Sequence, residues 1–94
     1  MIKQEDGTIR FSGPLTMSTV NGALLESTPL FAQDGPWDLD LSGVNEVDSA
    51  AVSLLLEWVR QAARHGRKLH IKNLPENLQC LVKVYGVKEL LPAA

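Results

Sequence analysis

The sequence predicts an α/β domain in which an N-terminal β-hairpin is followed by alternating helices and strands in a mixed sheet. Three observations predict it. Two stretches, residues 37–42 and 69–74, alternate apolar and polar side chains with period two. Helical patterns lie before, between and after them, and strands alternating with helices give parallel strand pairs in a layered fold. The run 2–12 is broken in its middle by Asp6-Gly7, a strong hairpin signal, because Gly tolerates the positive φ of tight turns. The resulting order is a β-hairpin followed by α-β-α-β-α.

Residues 2–5 and 8–12 are the hairpin strands. Ile9 and Phe11 alternate with Thr8, Arg10 and Ser12, so one face is buried, and Gly13-Pro14 is expected to end the strand. Thr16 is placed to N-cap a helix over about residues 17–27. Gly22 weakens that helix, and Pro29 bends or ends it. Residues 33–36, Gln-Asp-Gly-Pro, form a break. Trp37-Asp38-Leu39-Asp40-Leu41-Ser42 is the best strand in the chain, and a loop is expected over residues 43–47. A long helix then runs from Asp48-Ser49 to about His65, stopped by Gly66, with Arg64 and His65 at the negative end of its dipole. The second alternating strand follows. Pro75 begins a turn, residues 77–85 form a third helix closed by Gly86, and residues 87–91 add a last strand or helical turn.

The chain has 94 residues, which a single domain over 1–94 accounts for, with little left for a second activity. Apolar residues make up 45 % and charged residues 21 %, the balance of an ordinary globular domain. There is no apolar run of membrane-spanning length, and the start of the chain has no signal-peptide pattern. The single cysteine, Cys80, suits a reducing compartment and is read as a half-buried structural thiol.

The net charge of −2 conceals a split. Residues 1–48 hold eight acids and two bases, whereas residues 49–94 hold seven bases and three acids. The bases are neither dense nor interleaved with aromatics, which argues against nucleic-acid binding. Either two halves of one fold attract each other, or one half presents a polar face to a charged partner.

Residues 49–64 carry the most information. On a helical wheel Val52, Leu55, Leu56, Val59 and Ala63 form a stripe expected to face the sheet. Ser49, Ser53, Glu57, Arg60 and Arg64 form a polar face. Ala51, Leu54, Trp58 and Ala62 lie on the other flank. The apolar arc is wider than one sheet face requires, and Leu54 and Trp58 are the surplus. Either a neighbouring helix covers them, or they are an exposed partner-binding patch, since Trp is a frequent interface anchor. Asp48 and Ser49 are both good N-caps. A serine hydroxyl at a helix start is equally open to contact or to phosphorylation.

Catalytic and ligand motifs are missing. No Ser/His/Asp set, no metal-ligand spacing and no Gly-rich phosphate loop occurs, so neither an enzyme nor a cofactor is expected. His65 is read as a solvated helix-end residue, His70 as a strand residue, and Asp38 and Asp40 as two exposed acids on one strand face.

The run Leu39-Asp40-Leu41-Ser42-Gly43-Val44, two further residues, then Val47-Asp48-Ser49-Ala50-Ala51-Val52-Ser53-Leu54-Leu55-Leu56 resembles the signature of STAS domains. These are the sulfate-transporter and anti-sigma-factor-antagonist modules, and the order of elements fits over residues 2–91. The short form with Val-Asp-Ser-Ala-Ala and Leu-Leu-Leu-Glu-Trp is similar to the MlaB-like members. For these, the resemblance implies a cytoplasmic subunit of a phospholipid-transporting ABC complex that maintains outer-membrane lipid asymmetry. Such a subunit docks on the ATPase, and through it meets a permease, so it lies at the inner membrane without inserting. The docking residues so implied are Asp48, Ser49, Ala50, Ala51, Ser53, Leu54, Glu57 and Trp58. In the anti-sigma-factor antagonists the position of Ser49 is phosphorylated by an anti-sigma factor kinase. Many of those carry Gly where this chain has Ala51.

Overall fold

The computed structural model describes residues 2–5, 8–31 and 37–90. Its elements are β1 (Ile2–Glu5), β2 (Thr8–Leu15), α1 (Val20–Phe31), β3 (Trp37–Val47), α2 (Ser49–His65), β4 (Leu69–Lys72) and α3 (Glu76–Val84), then a short 3-10 turn, Lys88–Leu90. The four strands form one mixed sheet in the order β1-β2-β3-β4. β1 and β2 pair antiparallel, with Glu5 opposite Thr8. The expected turn residues, Asp6 and Gly7, lie outside the described residues, as does the 33–36 break. β2 with β3 and β3 with β4 are parallel.

Strand order follows chain order from β2 to β4. Right-handed crossovers therefore carry α1 and α2 onto the same face of the sheet. The strand periodicity then sorts the side chains. Ile9, Phe11, Leu39, Leu41, Leu69 and Ile71 are buried beneath the helices, with Leu54, Leu55, Trp58, Leu78 and Val82 closing over them. Arg10, Ser12, His70 and Lys72 stand exposed on the opposite face.

Both expected strand ends were too early. β2 continues through Gly13-Pro14 to Leu15, and β3 continues through the expected 43–47 loop to Val47. The two remain paired because β3 absorbs extra residues at two register shifts, one between Arg10 and Ser12 and one between Gly13 and Pro14. Gly13 takes a left-handed φ of 87°. Pro14 is tolerated because β1 pairs with β2 only as far as Phe11, so β2 has a one-sided edge there.

α1 starts at Val20, later than expected. Thr16 is therefore not its N-cap: the Thr16 hydroxyl accepts the Ser18 N–H at 3.3 Å inside the turn over residues 17–19 that precedes the helix. Thr19 Oγ1 donates to the Pro14 carbonyl at 2.8 Å. α1 also runs through Pro29 to Phe31. The helix tolerates the proline because the carbonyl deprived of a donor belongs to Leu25, a solvent-facing residue. α3 forms as expected, shifted by one residue, and Gly86 follows with φ 68°.

Candidate functional site

β3 delivers the chain to the site, and one carboxylate organises it. Asp48 lies in extended conformation between β3 and α2. Its Oδ1 accepts the Ala50 N–H at 2.8 Å, which caps α2. Its Oδ2 accepts the Met17 N–H at 2.9 Å, from the turn between β2 and α1. The N-cap is therefore Asp48, and Ser49 is left free of that role as the first residue of the helix, with an exposed side chain. Both connections leave the C-terminal ends of parallel strands, where ligands of open α/β sheets commonly bind.

The eight residues implied by the resemblance divide into two groups. Ser49 and Ser53 are exposed, while Asp48, Ala50 and Glu57 are half-buried. These five share the accessible end and flank of α2. The Glu57 carboxylate pairs with Arg60 at 2.5 Å and accepts from Gln61 Nε2 at 3.3 Å. Ala51, Leu54 and Trp58 are core residues.

Of the two readings of Leu54 and Trp58, cover by a neighbouring helix is the one the structure shows, and the exposed patch is ruled out. Trp58 is 0 % exposed, its ring lies 4.7 Å from that of Phe11, and its Nε1 donates to Ser27 Oγ of α1 at 3.2 Å. The buried arc of α2 is turned towards this flank. Leu56 and Val59 are only half-buried and Ala63 is exposed. The reason is that α2 packs between α1 and α3. A Trp with a polar partner on α1 outweighs an Ala on the opposite flank.

Asp40 also departs from expectation. It is 8 % exposed and sits in a set of hydrogen bonds on the open face of the sheet. Its Oδ1 accepts the Ser42 N–H at 2.9 Å and Asn73 Nδ2 at 3.2 Å, and Oδ2 lies 3.5 Å from Arg10 Nε. The Ser42 N–H is the main reason its pKa is lowered. Burial opposes this, and Asn73 and Arg10 add to it. The Ser42 bond falls within the first register shift, so Asp40 supports the irregular stretch of β3 that leads to Asp48.

Cys80 is exposed, not half-buried. His65 is exposed, as expected, and its ring lies 5.7 Å from that of Trp37. Among the described residues, no group of three or more His, Cys, Asp or Glu side chains is placed to hold a metal. Sequence reasoning missed Met17 and Asn73. Each is more than thirty residues from its partner, so local spacing holds no signal for either.

A family model described as "Mlab, STAS domain" matches residues 1–92. The chain belongs to the STAS domain family. The expected α/β architecture with a mixed sheet is that of the family. Among solved structures, the STAS domain is similar to one described as "Crystal Structure Analysis of Mglu", with 20 % identity and a TM-score of 0.65. The match covers 83 % of this chain and 20 % of that one, so this chain corresponds to about a fifth of that neighbour's length. At that identity the likeness concerns the fold alone. No curated protein matches the chain. STAS domains are generally interaction modules without enzymatic activity.

Proposed function

We propose that this STAS domain is an accessory subunit that binds and stabilises the cytoplasmic ATPase of a phospholipid-transporting, Mla-type ABC complex. The observation that carries the reading is the match to the MlaB-described family model over residues 1–92. The site supports it. Ser49 is exposed at the head of α2 beside half-buried Ala50, so a partner can approach the helix start closely. Contact runs through Asp48, Ser49, Ala50, Ser53 and Glu57, while Ala51, Leu54 and Trp58 hold the helix in place from below. The subunit is cytoplasmic and reaches the inner membrane through the ATPase and its permease. Among the described residues no helix is long and apolar enough to cross a membrane.

Co-purification with the ATPase subunit tests this reading. Ser49→Arg places a long charged side chain on the contact surface without touching the core, and it should abolish co-purification. Full yield of the complex with this variant sinks the interface.

The exposure of Ser49 favours a second reading, in which a kinase reaches it and the domain acts as an anti-sigma-factor antagonist. A phosphate there would stand next to the Asp48 carboxylate, and like-charge repulsion would alter the surface. Intact-mass measurement after incubation with candidate kinases separates the two. No mass gain at Ser49 counts against the switch. A gene neighbourhood with an ABC ATPase and permease favours the transporter subunit, and one with a sigma factor and a kinase-like anti-sigma factor favours the antagonist.

A further inference from the structure

The turn between β2 and α1 presents an exposed methionine beside the head of α2. Met17 is 76 % exposed, one of four large apolar side chains so exposed among the described residues, with Leu25, Val84 and Tyr85. Of these, Met17 is the one bonded to Asp48. A turn tip ordinarily carries Gly, Asn, Asp or Ser, and a large apolar side chain gains nothing from water there.

The backbone beneath it is held from three directions. Its own N–H is donated to Asp48 Oδ2 at 2.9 Å. On one side, the Thr16 N–H is donated to Thr19 Oγ1 at 2.9 Å. On the other, the Ser18 N–H is donated to Thr16 Oγ1 and the Thr19 hydroxyl to the Pro14 carbonyl. A backbone already fixed spares a partner the cost of ordering the turn, so only the rotamer freedom of the side chain is lost when it is covered. The thioether adapts to the shape of an apolar pocket. Ser18, next to Met17 in the chain, and Ser49, next to Asp48, are both exposed, and polar residues of this kind form the rim around an apolar anchor in protein interfaces.

We propose that Met17 is the apolar anchor of the docking surface, inserted into an apolar pocket of the same ATPase subunit that meets the Ser49 face. This inference rests on the function proposed above. Asp48 is its positioning residue. One carboxylate sets both the start of α2 and the place of Met17, so the two contacts keep a constant relation to each other.

The test is the Kd of the full chain for the purified ATPase subunit, with each variant first shown to retain its melting transition. Met17→Asp should weaken binding by about tenfold or more, as loss of a buried interface anchor does. Met17→Leu, which keeps the apolar bulk, should bind nearly as well as the wild type. Val84→Asp puts the same charge on an equally exposed apolar site of α3 and should leave Kd unchanged. Near wild-type binding by Met17→Asp alongside loss of binding by Ser49→Arg overturns the anchor and leaves the Ser49 surface standing. Equal weakening by Met17→Asp and Val84→Asp shows a general charge effect and also overturns the anchor. No binding by the wild type overturns both the anchor and the proposed function.

Discussion

Asp40 and Gly43 are the residues whose chemistry permits β3 to follow β2 around its first irregularity. Asp40 holds the Ser42 N–H within the register shift, and its lowered pKa links that support to pH. Because the folded state favours the ionised carboxylate, its contribution is present above the ordinary carboxylate range. It is lost as pH falls through the lowered folded value. Urea midpoints measured from pH 7 to pH 3 should therefore show Asp40→Asn less stable than wild type at neutral pH, with the gap closing in acid. At Gly43 a Cβ would lie 2.9 Å from the Phe11 carbonyl oxygen and 2.9 Å from Ser12 Cβ. The first of these is backbone and cannot turn aside. Gly43→Ala should accordingly lower stability by about 1–3 kcal/mol, the range for forced overpacking, measured by chemical denaturation. Gly43 is thus required by the close approach of two strands.

α2 is the element that joins core to surface, and its two faces give different kinds of variant. Trp58 is packed on Phe11 and bonded to Ser27, so Trp58→Ala should cost about 3–5 kcal/mol of folding stability. Any loss of partner binding in that variant then follows from unfolding. Asp48→Ala removes both the cap and the Met17 bond, and should cost about 1–2 kcal/mol, the upper range for a lost N-cap. Asp48→Asn keeps one carbonyl oxygen as acceptor and should recover part of that loss in the same melting experiment. The element was legible in the sequence as to place, length and stop. Asp48 and Gly66 mark its ends as the residue types predict, because capping is a local interaction. Its rotation was not legible. A wheel counts apolar positions as equals and cannot see α1 and α3 on either side.

In the whole molecule, one side of the sheet carries all the described helices, and the other is a polar plate. Lys3, Arg10, Asp40 and Lys72 are in register in a row across the four strands. Asp38 faces His70 in the neighbouring row. At the β3–β4 boundary the acidic and basic halves of the chain thus meet with Asp40 opposite Lys72, which favours mutual attraction as the account of the charge split. Lys72→Glu would place a like charge opposite Asp40, and should lower stability by about 0.2–1 kcal/mol in low salt. The effect should shrink as added salt screens the pair, which thermal melts across a salt series will read.

The sequence by itself determined the α/β class, the order of the elements and the capped helix after Asp48. Each of these rests on period, turn chemistry or caps, which act over a few residues. Only the tertiary structure decided that Leu54 and Trp58 are core, that Asp40 is a buried hydrogen-bond centre, and that Met17 is tied to Asp48. Those outcomes depend on partners such as Ser27, Asn73 and Asp48, brought together by strand register and helix packing across more than thirty residues of chain.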